Sequence, residues 1–266
     1  MKIRIFLFVI PLILSINMLY PQCEFKNTSF KVGEKLKYTG YYQLGMIWIA
    51  AGEVKMGVDE GFYKGKNIYK VTGTGRSAKA FDSFYRLRDT MHCYMDKKTL
   101  TPYYYCKIAH EKKHYSKRIL DYDYKKNKVY YTKFKRHGIR RDTINMMNVC
   151  FTDLLAIAYQ SRTIDFEKFG QGGFITIDMI VGGKIYNVRV RYLGYETIKT
   201  KGGKEYFCYK LAPYLPENSM FKGGNMLVWL SKDKNKVPIM VESKVVVGKV
   251  KGIIEGYENL LNPSSF

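Results

Sequence analysis

The sequence predicts a mainly β protein with one main helix: a large curved antiparallel sheet, or open half-barrel, with the helix packed against it. Three observations lead there. Apolar and polar residues alternate with period two over most of the chain, as on half-buried strands. Clusters of Gly, Asn, Asp and Lys interrupt the alternation at hairpin spacing. Tyr and Phe, 24 and 15 of them, are residues that suit a pleated surface.

The elements follow in order. "LKYTGYYQLGMIWIAAGEVKMGV" reads as two strands with glycines between them, and "KNIYKVTGTG" continues the pattern. "FYRLRDTMHCYMD" alternates into a turn at Lys97-Lys98-Thr99, after which Pro102 opens "YYYCKIAH". Proline is tolerated at a strand start because that N–H need not pair. "RILDYDYKKNKVYYTKF" is a hairpin turning at Lys125 to Asn127. "NVCFTDLLAIAYQSRT" breaks the pattern: Val149, Leu154, Leu155, Ile157 and Ala158 fall at helical spacing, with Asn148 or Thr152 as the cap of a helix of three to four turns. Strands then return in "FITIDMIV", "KIYNVRVRYLGYETI", "KEYFCYKLAPYL", "NMLVWLS" and "VPIMVESKVVVGKVKGIIEGY", with hairpin turns at Gly182-Gly183 and Gly202-Gly203. Roughly eleven strands result.

The chain opens "MKIRIFLFVIPLILSINMLYPQC". Two cations followed by a short apolar run interrupted by Pro11 form a signal-peptide pattern, expected to cover 1–22. No other stretch is apolar for the ~18 residues that a span needs, so no transmembrane segment is expected after leader removal. Tyr20-Pro21-Gln22 lacks the small residues of a lipoprotein site, so plain cleavage fits better than lipid anchoring at Cys23. Residues 23–266 are read as a single antiparallel β domain. Two similar half-sheets, about 24–145 and 165–262 joined by a helix at 149–162, are its expected internal division, hinted at by the strand–turn–proline phrases "YMDKKTLTPYYY" and "WLSKDKNKVPIMV".

Beyond the leader, 43 Lys and Arg face 23 acids, a balance of +20. Such charge serves an anionic partner or blocks pairing at strand edges. Lys107 to Arg141 holds 13 cations against Glu111, Asp121 and Asp123. Lys112, Lys113, Lys117, Arg118, Lys133, Lys135, Arg136, Arg140 and Arg141 form the candidate basic face. With an export leader, glycans or lipid headgroups are available anions and intracellular nucleic acid is not.

His110-Glu111-Lys112-Lys113-His114 spells the H-E-x-x-H of zinc peptidases. That chemistry needs a helix, but the flanks read as strands, and two lysines beside a dication are unfavourable. A hairpin turn at Glu111-Lys112-Lys113, flanked by the histidines as a cross-strand pair, is the expectation. His92 and Cys93 point to opposite faces of a strand and cannot chelate one ion together. "GTGRSAKA" lacks the glycine pattern of a nucleotide loop, and no G-x-S-x-G occurs. Catalytic residues, metal ligands and cofactors are therefore expected to be none. Cys23, Cys93, Cys106, Cys150 and Cys208 leave the disulfide pairing open; Cys93 and Cys106 are placed opposite one another across a hairpin, as packing rather than a bridge.

"CEFKNTSFKVGEKLKYTGYY", "IWIAAGEVKM", "FYRLRDTMHCYMDKKTLTPYYY", "CFTDLLAIAYQSRTIDF" and "DKNKVPIMVESK", in that order, resemble the domain-of-unknown-function family 3108 in its Bacteroides-type form. The resemblance implies an envelope protein and brings no catalytic residues. Its strand–turn–proline phrases are similar to those of periplasmic lipoprotein carriers with a LolA-like half-barrel. The expected function is non-enzymatic binding of a hydrophobic ligand, a lipid or acyl chain, in the periplasm or envelope of a Gram-negative bacterium. Leu154, Leu155, Ile157, Trp48 and Trp229 are its candidate ligand-binding residues, and a lipid or another envelope component its partner. The alternatives are a basic face binding glycan or lipopolysaccharide, and a metal-dependent hydrolase around His92, His110 and His114.

Overall fold

The computed structural model describes residues 25–146, 151–200, 202–214, 226–245 and 248–265. The expected leader, Cys23, Cys150 and the Asn148 cap lie outside the described residues. Those described form one 15-stranded sheet, against roughly eleven strands expected. The first run comprises β1 (Lys35–Leu44), β2 (Ile47–Tyr63), β3 (Lys66–Ser77), β4 (Leu87–Asp96), β5 (Pro102–Glu111), β6 (His114–Asp123), β7 (Lys128–Lys135) and β8 (Gly138–Asn145). The second comprises the two-residue β9 (Phe151–Thr152), then β10 (Phe174–Val181), β11 (Lys184–Lys199), β12 (Glu205–Tyr214), β13 (Met226–Ser231), β14 (Pro238–Lys244) and β15 (Lys249–Glu258).

Each run is an antiparallel meander, and β1 pairs with both β2 and β15, so the two runs share one sheet. Only β9 departs from the antiparallel pattern, pairing in parallel with β10 at Asp178 and Met179. Expected and observed strand numbers differ for physical reasons. "GIRRDTIN" is an edge strand with little apolar alternation, and the long C-terminal run folds back at Val245–Gly248 into two strands. A close approach fixes Gly52: a Cβ there would stand 2.3 Å from the Arg76 carbonyl oxygen.

The main helix, α2 (Leu154–Gln160), is seven residues long, not three to four turns. Thr152 is drawn into β9, and Asp153 becomes the cap, its carboxylate accepting from the N–H groups of Leu155 and Ala156 at 3.0 and 2.9 Å. A short α1 (Asp82–Tyr85) lies between β3 and β4. Leu155, Ala156 and Tyr159 of α2 pack with Phe30 from the segment before β1, with Val71, Cys93, Leu120 and Tyr131 from the first run, and with Ile180 from β10. The helix thus fills the space where the far end of the second run comes over the first. A second core joins Leu36, Tyr38, Trp229, Ile239 and Ile254, and a third surrounds Phe166 and Tyr192. Among the described residues, no helix is long and apolar enough to cross a membrane.

Because a meander reverses at every turn, alternate connections share one end of the sheet. β1–β2, β3–β4, β5–β6, β7–β8, β10–β11 and β14–β15 all turn at that end, here called the mouth.

Candidate binding site

Strand alternation and register arrange the inner face of β4–β8 in rows. Cys93, Tyr105, Leu120 and Tyr131 are cross-strand neighbours, all buried. Two residues nearer the mouth, a step of about 7 Å, the row becomes Met91, Lys107, Arg118, Lys133 and Arg140. An apolar floor gives way to four adjacent cations in a single step.

The cations differ in how they are neutralised. Lys107 reaches Asp89 at 2.7 Å and Glu111 at 3.4 Å. Arg140 reaches Asp142 at 2.7 Å. Among the described residues, neither Arg118 nor Lys133 has an ion-pair partner, and the buried Arg118 Nε has no hydrogen-bond partner. Burial, followed by repulsion from Arg118, Lys135 and Arg140, holds the Lys133 ammonium below its ordinary pKa. The Arg118 and Lys107 side chains border a cavity of about 20 Å³, with Tyr105, Leu120 and Tyr131 as floor and Leu154 and Ile180 opposite. That is room for one water. Nearer the mouth, Lys133, Lys135, His137 and Arg140 border an open cleft of about 240 Å³.

Asp153 is fully buried in the same core, where the Cys93 thiol donates to its Oδ2 at 3.4 Å. Burial pushes its carboxyl up to about 6, against the two helix N–H bonds that favour the charge. Burial, with Asp153 as the next cause, also holds the Tyr122 phenol well above its ordinary value.

The anticipated binding residues fall in several places. Leu154 lines the cavity, Leu155 is in the first core and Ile157 is half-buried on α2. Trp48 stands at the mouth with Lys251 4.5 Å from its ring centroid. Trp229 lies in the second core, its indole N–H donating to Glu196 at 2.8 Å. The nine residues expected as one basic face are divided. Arg118, Lys133, Lys135 and Arg140 take the inner phase of their strands, while Lys117 and Arg141 take the other. Lys112, Lys113 and Arg136 sit in turns.

The H-E-x-x-H stretch is a hairpin, with Lys112 at φ 53° in its two-residue turn. The histidines do not form the expected cross-strand pair. His110 faces Tyr115, and His114 faces Glu111. The helix on which zincin geometry depends is absent from this stretch. Cys106 pairs with His92 rather than Cys93, so the two thiols take opposite faces and remain free, as does Cys208.

Lys107, counted only among the cations of the basic stretch, and Asp89 and Asp153 were not singled out as site residues by the sequence. The first two sit at inner-phase positions of alternating strands, and the third directly precedes the leucines of α2, so strand parity and capping chemistry were the available signals.

A family model described as a protein of unknown function, DUF3108, matches residues 37–255. No curated protein matches. Among solved structures, a β-barrel-like protein of domain of unknown function DUF1849 from Brucella abortus is similar over 88% of this chain and 100% of its own, at 6% identity and a TM-score of 0.52. A protein from Bacteroides fragilis called a putative exported protein with a YmcC-like fold is similar over 89% of this chain and 100% of its own, at 11% identity and a TM-score of 0.35. The first likeness shows a β-barrel-like fold, and among the described residues the sheet runs from β8 to β9 without closing.

Proposed function

The chain belongs to the family of proteins of unknown function DUF3108, and we propose that it is a non-enzymatic envelope protein holding a hydrophobic ligand with an anionic head in its half-barrel. One observation carries the reading: the apolar floor of Tyr105, Leu120 and Tyr131 adjoins Arg118, whose buried Nε is unpaired. A buried donor without a partner costs about 1–3 kcal/mol, and a carboxylate or phosphate oxygen would offset that cost. The acyl chain lies over the apolar floor beside Leu154, each buried methylene contributing about 0.8 kcal/mol. A cavity of about 20 Å³ admits such a chain only when the Gly182-Gly183 turn of β10–β11 lifts from Tyr131. The leader pattern supports export to the periplasm or envelope as one β domain, with lipid anchoring at Cys23 the less favoured end state.

The test is native mass spectrometry of protein from a periplasmic expression host, purified without detergent. A retained mass in the fatty-acid or phospholipid range, lost in Arg118→Met, is expected. A bare polypeptide that also takes up no added fatty acid or lysophospholipid overturns the reading.

A second reading, an anion-binding surface, has the exposed turn cations Lys112, Lys113 and Arg136 in its favour. It requires heparin or lipopolysaccharide binding that weakens with salt and is indifferent to Arg118.

A further inference from the structure

The mouth of the sheet carries a second feature, independent of the cavity. Its turns expose large apolar side chains to water: Met46 is 96% exposed, Ile47 65%, Phe84 70% and Ile139 52%, joined by Val245 at 42%. They belong to consecutive connections that touch one another. The Tyr42 and Phe81 rings lie 6.4 Å apart, and Phe81 and Phe84 5.3 Å apart, linking the β1–β2 tip to α1. Lys112 N–H donates to the Arg86 carbonyl at 2.7 Å, linking α1 to the β5–β6 tip. Gln43 pairs with Lys249, placing the β14–β15 turn beside β1–β2.

The same rim exposes Lys79, Arg86, Lys112, Lys113 and Arg136. None of these has an ion-pair partner among the described residues, whereas nearby acids are already engaged. Asp82 holds Arg88, Glu111 holds Lys107, Asp142 holds Arg140, and Glu242 holds Lys249 and Lys251. At the opposite end Lys35, Lys64, Lys97 and Lys126 each meet a carboxylate, while the exposed Lys98, Lys125 and Lys128 have no ion-pair partner among the described residues. It is therefore the row of apolar tips beside the cations that sets the mouth apart.

Apolar tips surrounded by unneutralised cations fit a surface that is anionic outside and apolar a few ångströms deeper. We infer that this rim docks on an anionic lipid bilayer, with Met46, Ile47 and Phe84 entering the headgroup–acyl boundary and the turn cations meeting lipid phosphates. Docking directs the cleft of Lys133 and Arg140 toward the bilayer.

Vesicle sedimentation of the full chain tests this, with phosphatidylglycerol–phosphatidylcholine vesicles against pure phosphatidylcholine. Binding is expected only to the anionic vesicles and weakens as salt rises. Lys79→Glu/Lys113→Glu/Arg136→Glu and Met46→Ser/Ile47→Ser/Phe84→Ser each lower it at least about tenfold. Lys98→Glu/Lys125→Glu/Lys128→Glu, at the opposite end, leaves it unchanged. Of the two tryptophans, Trp48 at the rim shifts to the blue on binding, while the Trp229→Phe protein retains the shift. Absent binding, equal binding to both vesicle types, or rim variants that bind like wild type overturns the inference, the last assigning attachment to the N-terminal apolar segment. These outcomes do not depend on Arg118 and so leave the cavity reading to its own test.

Discussion

Arg162 and Glu34 are joined by two charge-assisted hydrogen bonds, Nη1 to Oε1 at 2.6 Å and Nη2 to Oε2 at 2.8 Å, with both side chains shut off from water. Arg162 Nε also donates to the Asn235 carbonyl at 2.8 Å, and Nη2 to that of Ser29 at 2.9 Å. The guanidinium carbon lies 5.4 and 5.3 Å from the ring centroids of Phe30 and Tyr159, which themselves meet edge to face at 4.8 Å. One side chain thus ties the segment before β1, the end of α2 and the β13–β14 turn.

Removing either partner strands a buried charge, so Glu34→Gln and Arg162→Met should each cost about 3–5 kcal/mol. The double variant should cost less than the two singles together, by about 0.5–3 kcal/mol. Denaturant midpoints at constant m-value check this, and strict additivity would refute the coupling.

Asp153 makes stability depend on pH. Its folded pKa, about 6, lies above the ordinary 3.8 because burial disfavours the carboxylate. The protonated form is therefore favoured by folding. The contribution is fully present below about pH 4 and is lost as pH rises through about 6, a change of about 3 kcal/mol. Asp153→Asn keeps the cap but does not titrate. The stability of wild type relative to this variant should fall between pH 4 and 7, measured by urea unfolding at each pH. A flat difference would mean that the carboxyl stays charged throughout.

Gly183 and Tyr131 define the seam between β10–β11 and the first run. A Cβ on Gly183 would stand 2.5 Å from the Tyr131 ring, at φ 83°, whereas Gly182, at φ 62°, has nothing within 4 Å. Gly182→Ala should cost about 1 kcal/mol, for backbone conformation alone. Gly183→Ala adds the ring clash and should cost about 1–3 kcal/mol more. It should also raise uptake of an apolar fluorescent dye, because the turn can no longer rest on Tyr131. Equal stability and dye uptake in the two variants would show that the seam already stands open in solution.

The strands were legible where burial imposed alternation, as in β3 to β6. They were not legible in "GIRRDTIN", which an edge position leaves mostly exposed, so its pattern carries no period. The helix was legible from Leu154 and Leu155, but its start was not, because β9 takes Thr152 and leaves the cap to Asp153. At the site, parity alone puts Lys107 on the same face as Tyr105. Parity cannot say that Arg118 and Lys133 stand next in the row, since that depends on a register set by two hairpins. Nor does local pattern connect Glu34 with Arg162, which are 128 residues apart and meet only once the sheet has curled.

Arg118 brings stability and binding into opposition. Its buried Nε lacks a protein partner, a defect that costs about 1–3 kcal/mol unless a water or a ligand meets it. Methionine has similar length, no polar atoms and enough freedom to fill an irregular gap. The Arg118→Met protein should therefore unfold at an equal or higher denaturant concentration than wild type, with an unchanged m-value. If the guanidinium meets an anionic head, the same protein should hold a fatty acid or lysophospholipid at least about tenfold more weakly, the worth of one charge-assisted hydrogen bond. A neutral alcohol of equal chain length should bind both proteins alike, because it presents no charge to Arg118. Loss of stability without loss of binding would make Arg118 a structural residue. Gain of stability with loss of anionic ligand alone would mark it as a position kept for binding.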